Sequence, residues 1–378
     1  MTMRVCVILF LCAFIGCGGN EPRRNGAASS ASEDAAAARS TFCVYMSPAG
    51  DDDNPGTMDS PLRSLQGVHD LLATVEPQSD ITVKIRSDIG PYENQTVRWE
   101  YCRRGANVFF EPYPDSVFAR FTGRETDAVF FTFENASSGA TNLHFRRLSI
   151  GDYARGAIWF IGDGEEAGRY NSNNSVIDCV FHDIGNQNCP EKAMCYGVVD
   201  VVNSRNNVIE RCAFSNCGNA NTRPSRASTE GNGSAETLAI VCIYLAHHSS
   251  GNVVRRCTFE NIKGDGIRIR DESNDNEIHH NDAVKTGWNA FCSMWYRHPL
   301  CTPGGAFTEC PSVGNTLHDN IARGNWECER PRIFKDLRPQ SNPYGGCPDE
   351  SESARIDIFD NEVEDCRHGA GAAPARSG

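Results

Sequence analysis

Apolar and polar positions recur along this chain in short units, and the stretch from Asn252 to Asp271, NVVRRCTFENIKGDGIRIRD, holds one complete unit. Its first half is an apolar set spaced by two and three residues, and a Gly-Asp-Gly corner follows. Ile267 and Ile269 then alternate with arginines, which is the pattern of a strand buried on one face. A unit this small cannot bury its apolar face alone, so we expect it to stack on copies of itself.

Copies of the unit precede and follow it. Strong copies begin at Asn174, Asn207 and Asn276, and weaker ones at Leu143, Asn315 and Ile356. The copies share one pivot position, which is occupied by Leu148, Cys179, Cys212, Cys257, Asn281, Asn320 and Asn361. Successive pivots are 24 to 45 residues apart, whereas three short strands with tight turns need roughly 20 to 25 residues. The pattern therefore predicts a β-solenoid with inserted loops, in which pivot asparagines hydrogen-bond from coil to coil.

The repeat N-x-[VI]-x-x-[NC]-x-[FI], the G-D-G-I-x-I strand and the segment from Cys43 to Leu72 resemble the parallel β-helix proteins of the pectate-lyase-like superfamily. The resemblance covers roughly Cys43 to Cys366. It implies an all-β fold, a right-handed parallel β-helix formed as a single-stranded solenoid with a short N-terminal capping helix. Lyases, hydrolases, epimerases and binding proteins all use this fold, so the resemblance does not fix an activity.

The segment from Cys43 to Leu72 predicts a strand, a turn and then an amphipathic helix. An apolar side of that helix would cover the open end of the first coil, and it consists of Leu65, Val68, Leu71 and Leu72. The aspartates at 51–53 are interpreted as turn formers, and a cation held by them is the alternative.

The two ends of the chain differ from this body. Residues 1–16 have a basic start and an eleven-residue apolar core, which is typical of a secretory signal peptide. Phe-Ile-Gly before Cys17 resembles a bacterial lipobox and implies lipidation of Cys17, with an ordinary signal peptide as the alternative. We expect a flexible tether over 17–41, the β-helix domain over 42–367 and a disordered tail over 368–378.

With a signal peptide and a lipid on Cys17, the protein would be exported and lipid-anchored in the bacterial cell envelope, in the outer membrane or at the cell surface.

Charge and cysteine content limit the partners and the compartment. The net charge of −13 argues against a nucleic-acid partner, since phosphates would be repelled. Many cysteines favour an oxidising compartment. The disulfide candidates bracket inserted loops: Cys189 with Cys195, Cys301 with Cys310, and Cys328 with Cys347. A cysteine zinc site is the alternative, but paired C-x-x-C motifs are missing. The pivot cysteines are instead expected to be buried thiols.

Candidate chemistry lies on one strand of each coil. Alignment of the repeats puts Trp159, Val199, Tyr244 and Arg268 in one outward column, and Ile161, Val201, Ala246 and Arg270 in the next. The ends of these strands add His247, His248, Asp271 and Glu272. Aromatic rings stack on sugars and arginine binds carboxylates in a fork, so Trp159 and Tyr244 beside the arginines suit an acidic sugar polymer.

The resemblance to the lyases implies that a lysine or arginine removes a proton beside a uronic carboxylate, while a calcium ion neutralises that carboxylate. The candidate base or clamp residues are Lys263, Arg268 and Arg270, and the candidate calcium ligands are Asp265, Asp271 and Glu272. The sequence departs from those families because their cluster of aspartates and their N-x-x-E-x-x-x-x-K run are missing. The alternative is a solvated strand face whose charges pair with one another.

His247 and His248 are a candidate acid–base pair, with surface turn residues as the alternative. The insertion from Trp288 to Gly314 is the candidate wall of a cleft, and its candidate sugar contacts are Trp295, Tyr296 and Arg297. We therefore expect a monomeric, envelope-anchored protein that binds or cleaves an acidic polysaccharide, as a polysaccharide lyase or glycoside hydrolase if it is catalytic. The alternative function is a non-catalytic surface, adhesion or structural lipoprotein on the same scaffold.

Overall fold

The computed structural model describes residues 41–103, 105–126, 128–134, 139–163, 168–185, 197–218, 240–287, 289–294, 310, 312–325, 332–337 and 356–364. These residues form thirty strands, β1 to β30 in chain order, and one helix, α1. The strands assemble into parallel sheets in which each strand pairs with the equivalent strands of the neighbouring coils.

Three long sheets run along the solenoid, and a complete coil gives one strand to each. Sheet 1 contains β1 (Phe42–Met46), β2 (Ile81–Arg86), β5 (Val108–Tyr113), β9 (Leu143–Arg146), β13 (Ser175–Ile177), β17 (Val208–Glu210), β20 (Val253–Arg255), β23 (Glu277–His279), β26 (Thr316–His318) and β29 (Asp357–Phe359). Sheet 2 contains β3 (Tyr92–Glu93), β6 (Ala119–Thr126), β10 (Leu148–Tyr153), β14 (Val180–His182), β18 (Ala213–Ser215), β21 (Thr258–Glu260), β24 (Asp282–Thr286), β27 (Ile321–Asn325) and β30 (Glu362–Glu364).

Sheet 3 contains β4 (Val97–Trp99), β7 (Val129–Glu134), β11 (Gly156–Ile161), β15 (Gly197–Val202), β19 (Val241–Ala246), β22 (Ile267–Arg270), β25 (Asn289–Met294) and β28 (Arg332–Leu337). A short fourth sheet contains β8 (Gly139–Ala140), β12 (Asn171–Ser172) and β16 (Ser204–Arg205). Each coil therefore runs from sheet 1 through sheet 2 to sheet 3 before the next coil begins.

A single left-handed residue turns each repeat from sheet 1 into sheet 2. It directly precedes the pivot and has φ between 52° and 56° in seven coils, at Arg147, Asp178, Arg211, Arg256, His280, Asp319 and Asp360. None of these residues is glycine, so contacts with the neighbouring coils must hold the turn. One such contact is the hydrogen bond from Asp178 N to Glu210 O in the next coil, at 3.0 Å.

The interior is filled by side chains that stack along the solenoid axis. Phe181, Phe214 and Phe259 form one stack, with successive ring centroids 4.9 and 5.1 Å apart. The pivot cysteines of the same coils are buried, which confirms their prediction as buried thiols: Cys179, Cys212 and Cys257. Burial of each apolar face depends on the coil above or below it, so the stack of coils is the unit that folds.

Two asparagine ladders hold the coils in register. At the pivot, Asn320 Oδ1 accepts hydrogen bonds from the backbone N–H and from Nδ2 of Asn281, at 3.0 and 2.9 Å, which confirms the predicted ladder. The second ladder was not predicted and runs through the first residue of each repeat, at Asn174, Asn207, Asn252, Asn276 and Asn315. From Asn207 onward, each Oδ1 accepts from the N–H and Nδ2 of the asparagine one coil earlier, at 2.8 to 3.0 Å. Asn174 Oδ1 accepts instead from Leu143 N at 3.1 Å and from the Thr141 hydroxyl at 2.7 Å.

The helix α1 (Leu65–Val75) covers the first coil, as predicted. Its inward side chains Leu65, Val68 and Leu72 are at most 1% exposed. The helix begins at Ser64, whose hydroxyl accepts a hydrogen bond from Gly67 N at 2.9 Å. Asp52 Oδ1 accepts from Ser64 N at 2.8 Å at the start of the helix. Asp51 Oδ1 accepts from Asp53 N at 3.2 Å, a local turn contact that agrees with the interpretation of these aspartates as turn formers.

The prediction of an all-β, right-handed parallel β-helix with an N-terminal capping helix is confirmed. Residues 1–40 and 365–378 lie outside the described residues, so the signal peptide, the lipidation of Cys17, nearly all of the tether and the tail stay predictions. No helix within the described ranges combines the length and the apolar character needed to cross a bilayer.

Candidate functional site

The outer face of sheet 3 carries a continuous column of side chains. Adjacent coils pair Trp159 with Asp200, Asp200 with Tyr244, and Tyr244 with Arg268. Paired residues on parallel strands are roughly 4.8 Å apart, so these four groups form one row along the solenoid. The structure therefore brings together Trp159, Tyr244 and Arg268, which the sequence placed in one column.

The predicted register of β15 is wrong by one residue. Val199 and Val201 are fully buried in the interior core, and Asp200 and Val202 take the two outward positions that the sequence assigned to the valines. The strand GVVDVV is buried along almost its whole length, so it lacks the alternation of apolar and polar residues that normally fixes a register.

Asp200 is the functional candidate that the sequence prediction missed. Its side chain is 1% exposed, and its Oδ1 has no hydrogen-bond partner within the described part of the chain. Burial raises the pKa of the Asp200 carboxyl well above its ordinary value, which favours the neutral form. The signal in the sequence was a single acid inside an otherwise apolar strand. Buried acids in a row of polar groups are candidates for holding or transferring a proton.

The two aromatic residues of the column are held by hydrogen bonds. Trp159 Nε1 donates to Gly197 O at 3.0 Å, and Arg270 Nη1 donates to the Tyr244 hydroxyl at 2.8 Å. Trp159 is half-buried, but Tyr244 is only 2% exposed, so its ring face is not open to a sugar in this conformation. The Tyr244 hydroxyl, rather than its ring, is the part that belongs to the row of polar groups.

Arg268 lies against an acid of its own coil. Its Nη2 is 2.7 Å from Asp265 Oδ2, and both side chains are largely buried. Lys263 lies in the corner between β21 and β22, and its methylene groups lie where a side chain on Gly218 of the preceding coil would be. Burial lowers the pKa of Lys263. Lys263 is thus outside the strand face that carries Arg268 and Arg270.

The carboxyl ends of β19 and β22 are joined by two imidazole–carboxylate contacts. His247 Nδ1 is 2.8 Å from Asp271 Oδ2, and His248 Nδ1 is 3.2 Å from Glu272 Oε2. Asp271 also accepts a hydrogen bond from the backbone N–H of Cys310 at 3.1 Å. When Nδ1 carries the proton that is shared with Asp271, Nε2 is the nitrogen of His247 that can accept another proton.

The three predicted calcium ligands each take a positively charged or imidazole partner. Asp265 contacts Arg268, Asp271 contacts His247, and Glu272 contacts His248. Within the described ranges, the group of metal-ligating side chains that converges is a different one, Glu277 with His279 and His318 on sheet 1. A calcium ion at the predicted ligands would have to replace the existing contacts, and it stays a prediction.

Several predicted residues lie outside the described residues, so their roles also stay predictions. They are Trp295, Tyr296 and Arg297 of the candidate cleft wall and the cysteines Cys189, Cys195, Cys301, Cys328 and Cys347. Cys310 is disulfide-bonded. Its pairing with Cys301 is not tested.

One cavity of about 370 Å³ lies away from this face, beside the strands of sheet 1. Its lining includes Lys84, Arg146, Arg147 and Arg211 together with the acids Glu111 and Asp178. Arg211 forms two hydrogen bonds to Asp178, at 2.6 and 3.0 Å, and Arg146 lies over the ring of Phe109. Arg211 of this lining is thus paired with an acid of the protein itself.

No profile of a known protein family matches the chain, and no curated protein matches it. Several solved structures are similar to the chain. A rhamnogalacturonan lyase is 13% identical over 85% of this chain and 87% of that chain, with a TM-score of 0.40. An alginate lyase from Paenibacillus sp. str. FPU-7 is 9% identical over 85% of this chain and 94% of that chain, with a TM-score of 0.44. The pectate lyase Pel9A is 13% identical over 89% of this chain and 81% of that chain, with a TM-score of 0.47. At these values the likeness assigns no role to any residue of this chain.

Proposed function

We propose that the protein binds an acidic polysaccharide along the outer face of sheet 3 and cleaves it as a polysaccharide lyase. The observation that carries the proposal is the grouping of two arginines, a tyrosine hydroxyl and a histidine–aspartate pair on two adjacent coils. Arg268 and Arg270 lie on the same side of β22, about 7 Å apart at strand geometry. Arg270 contacts Tyr244, and Asp271 contacts His247.

The arginines supply the recognition of a uronic carboxylate. A guanidinium group presents donors in a planar fork that matches a carboxylate, and it keeps its charge at all relevant pH values. The Arg268 side chain is 21% exposed and Arg270 is half-buried, so both can meet a ligand in a partly dry environment, where charge-assisted hydrogen bonds are strong. The net charge of −13 opposes long-range attraction of an acidic polymer, so binding would rely on short-range contacts with Arg268 and Arg270.

His247 supplies the proton transfer that cleavage needs. In β-elimination, a base takes the proton from the ring carbon beside the carboxylate, and the electron pair left on that carbon forms a carbon–carbon double bond. The neighbouring glycosidic C–O bond breaks, and its oxygen takes a proton from solvent. Arg268 and Arg270 stabilise the negative charge that develops on the carboxylate, while His247 Nε2 accepts the proton with Asp271 orienting the ring.

The test measures binding and cleavage separately on the full-length protein. Polygalacturonate, alginate and neutral dextran are compared by gel retardation, and the unsaturated product is followed by its new ultraviolet absorbance. Arg268→Gln/Arg270→Gln should weaken binding of the acidic polymer at least about tenfold, since charged hydrogen bonds contribute about 1.5 to 3 kcal/mol each. His247→Gln should keep binding and lose the absorbance.

Arg98→Gln is the matched control. Arg98 lies in the same column toward the other end of sheet 3, is 66% exposed and pairs with Glu134 at 2.6 Å. The Arg98→Gln variant should bind acidic polymers with the affinity of the wild type. Thermal denaturation should first show that the double arginine variant is folded. The proposal is wrong if this folded variant binds acidic polymers as tightly as the wild type does, or if the wild type binds no acidic polymer.

A non-catalytic surface or adhesion protein is the second candidate function. The burial of the Tyr244 ring and the pairing of the charges on this face favour it. Retained binding of an acidic polymer without any new absorbance would support this function over cleavage.

Calcium is part of the proposal only as a bridge between the substrate carboxylate and Asp265, Asp271 or Glu272. Carboxylates are suitable ligands for this ion, but here Arg268 would have to release Asp265, and His247 or His248 would have to release Asp271 or Glu272. Loss of the absorbance change in a chelator, and its recovery when calcium is restored, would support the bridge. Unchanged activity in the chelator would remove calcium from the mechanism.

We also propose that the β-helix is exported and held at the cell envelope by lipid on Cys17. The apolar core before Cys17 supports this, because it is too short to span a bilayer but suits an export signal. Wild-type protein expressed in bacteria should incorporate labelled palmitate and sediment with membranes, and Cys17→Ala should do neither. Equal membrane association of the variant would contradict the anchor.

A further inference from the structure

On the outer face of sheet 1, two histidines and a glutamate from adjacent coils converge. His279 and His318 are paired neighbours on β23 and β26, and Glu277 lies two residues before His279 on the same side of β23. One ligating atom from each of the three lies within 4.8 Å of the others. His318 Nε2 is 3.3 Å and His279 Nε2 is 3.8 Å from Glu277 Oε1.

We propose that Glu277, His279 and His318 form a binding site for a divalent first-row transition metal ion such as zinc. The site lies on a different sheet from the proposed polysaccharide site and does not depend on it.

The two distances from the histidines to Glu277 are close to those of a tetrahedral metal site, and the two histidine nitrogens lie within 4.8 Å of each other. Bonds of about 2.0 to 2.2 Å from zinc to nitrogen and oxygen place neighbouring ligand atoms roughly 3.3 Å apart. The contact between His318 and Glu277 already has this length, and a shift of about half an ångström would bring His279 to it. Two imidazoles and one carboxylate suit zinc, nickel or copper, whereas calcium prefers oxygen ligands alone.

Neighbouring side chains orient both imidazoles toward the shared point. His318 Nδ1 is 2.8 Å from Asp319 Oδ2, and His279 Nδ1 is 2.8 Å from His280 Nδ1. With these contacts made by Nδ1, Nε2 of each ring is the nitrogen that faces Glu277. A carboxylate behind a metal-binding histidine is a common arrangement, because it fixes the tautomer and raises the basicity of the ligand nitrogen.

Ring stacking holds His318 in place. It is parallel to His279 on one side, with centroids 5.0 Å apart, and to Phe359 on the other, with centroids 4.8 Å apart. The two histidine side chains are 13% and 15% exposed, and Glu277 is 48% exposed. The ligands are therefore rigid on one side and open to solvent on the other, so an ion has a path to the site. Arg255, one coil earlier, is paired with Glu210 at 2.8 Å.

The charge of the cluster also favours a cation. His318 contacts two carboxylates, Asp319 Oδ2 at 2.8 Å and Glu277 Oε1 at 3.3 Å. These carboxylates would stabilise a metal ion. The ion would connect the coil of β23 to the coil of β26, which are joined by a long insertion in sequence, and so would stabilise the stack by binding only the folded state.

The experiment titrates the full chain with zinc by calorimetry and with cobalt by visible absorption. We expect one zinc ion per chain and a cobalt spectrum without a thiolate charge-transfer band, which distinguishes this site from cysteine ligation. His318→Phe should lower the zinc affinity at least about tenfold, and Asp319→Asn should lower it about tenfold or more by disturbing the orientation of His318. Phenylalanine at 318 keeps an aromatic ring between His279 and Phe359, so the fold is expected to persist.

His182→Ala is the matched control. His182 makes the same contact with the following aspartate, Nδ1 to Asp183 Oδ2 at 2.9 Å, but lies on sheet 2. Its substitution should leave zinc affinity and stoichiometry unchanged. The proposal would be overturned if the wild type did not bind zinc. It would also be overturned if His318→Phe and Glu277→Gln bound zinc with the affinity of the wild type. Zinc should also raise the midpoint of thermal unfolding of the wild type but not of His318→Phe.

Discussion

A β-carbon on Gly197 would lie 2.4 Å from Asp200 Oδ1, so the buried carboxyl group occupies space that a side chain at residue 197 would need. The two residues are three positions apart on one strand, β15. An acid without a hydrogen bond to Oδ1 in such a place opposes stability once it ionises.

The first prediction concerns the pH dependence that Asp200 imposes. Burial raises the pKa of its carboxyl in the folded state, whereas the unfolded carboxyl titrates near its ordinary value of about 3.9. Between these two values the folded state binds more protons, so wild-type stability falls as pH rises. Asp200→Asn does not titrate there. The free energy of unfolding of the variant, measured in urea, should gain on the wild type by up to about 1.4 kcal/mol per pH unit above pH 4.

The exposed Asp59 supplies the control for that series. Asp59→Asn should follow the wild type at every pH, because its carboxyl is in solvent in both states. A constant difference between Asp200→Asn and the wild type from pH 4 to pH 8 would show that Asp200 is ionised in the folded protein.

The second prediction concerns the asparagine ladder at the start of each repeat. Asn252 Oδ1 accepts from Asn207 N at 3.0 Å and from Asn207 Nδ2 at 2.8 Å, and Asn252 Nδ2 donates to Asn276 Oδ1 at 3.0 Å. Asn252→Ala leaves the buried donors of Asn207 without an acceptor. We expect a loss of about 2 to 4 kcal/mol in the free energy of unfolding, since each unsatisfied buried group costs about 1 to 3 kcal/mol.

Thr258→Ala is a control in the same coil. Thr258 is an exposed residue of β21, and its substitution should change stability by no more than about 0.5 kcal/mol. If Asn252→Ala proves as stable as Thr258→Ala in the same urea titration, the ladder is replaceable by water or by backbone movement.

The sequence predicted the architecture well because the repeat itself encodes it. Each pivot aligns with a left-handed turn and an inward side chain, and the aligned Asn281 and Asn320 form the ladder that was expected. The helix that covers the first coil was predicted from its apolar positions for the same reason, since local spacing and local structure coincide there.

Residue placement on sheet 3 was harder to predict because two of its strands, β15 and β19, follow long insertions. Loop length does not fix a register, and Asp200 lies in a strand whose valines fit either face. The burial of Tyr244 was also invisible, because repeat position indicates the direction of a side chain but not what covers it.

The metal-ligand cluster on sheet 1 had a visible signal that the sequence prediction did not use. His279 and His318 occupy the same place in two aligned repeats, N-E-I-H and N-T-L-H. Two residues at one place in successive coils must become neighbours when the coils stack, which is what the pairing of β23 with β26 shows. Their convergence with Glu277 depends on side-chain rotamers and could not be read from the repeat.

The third prediction concerns acid sensitivity at His144, which is half-buried on sheet 1 between Asn107 and Ser175 and stacked on Phe109. Burial, together with the charge of Arg146, lowers the pKa of His144 to about 4. The unfolded histidine titrates near pH 6.5, so the unfolded state binds more protons between pH 6.5 and pH 4, and stability is lost as pH falls through that range. The loss by pH 4 should amount to about 3 kcal/mol of unfolding free energy from this residue.

His144→Gln can still hydrogen-bond to Ser175 but does not titrate, so its unfolding free energy should fall less steeply over the same range. An NMR titration of the His144 ring gives an independent measurement, and a midpoint near 6.5 in the folded protein would contradict both expectations.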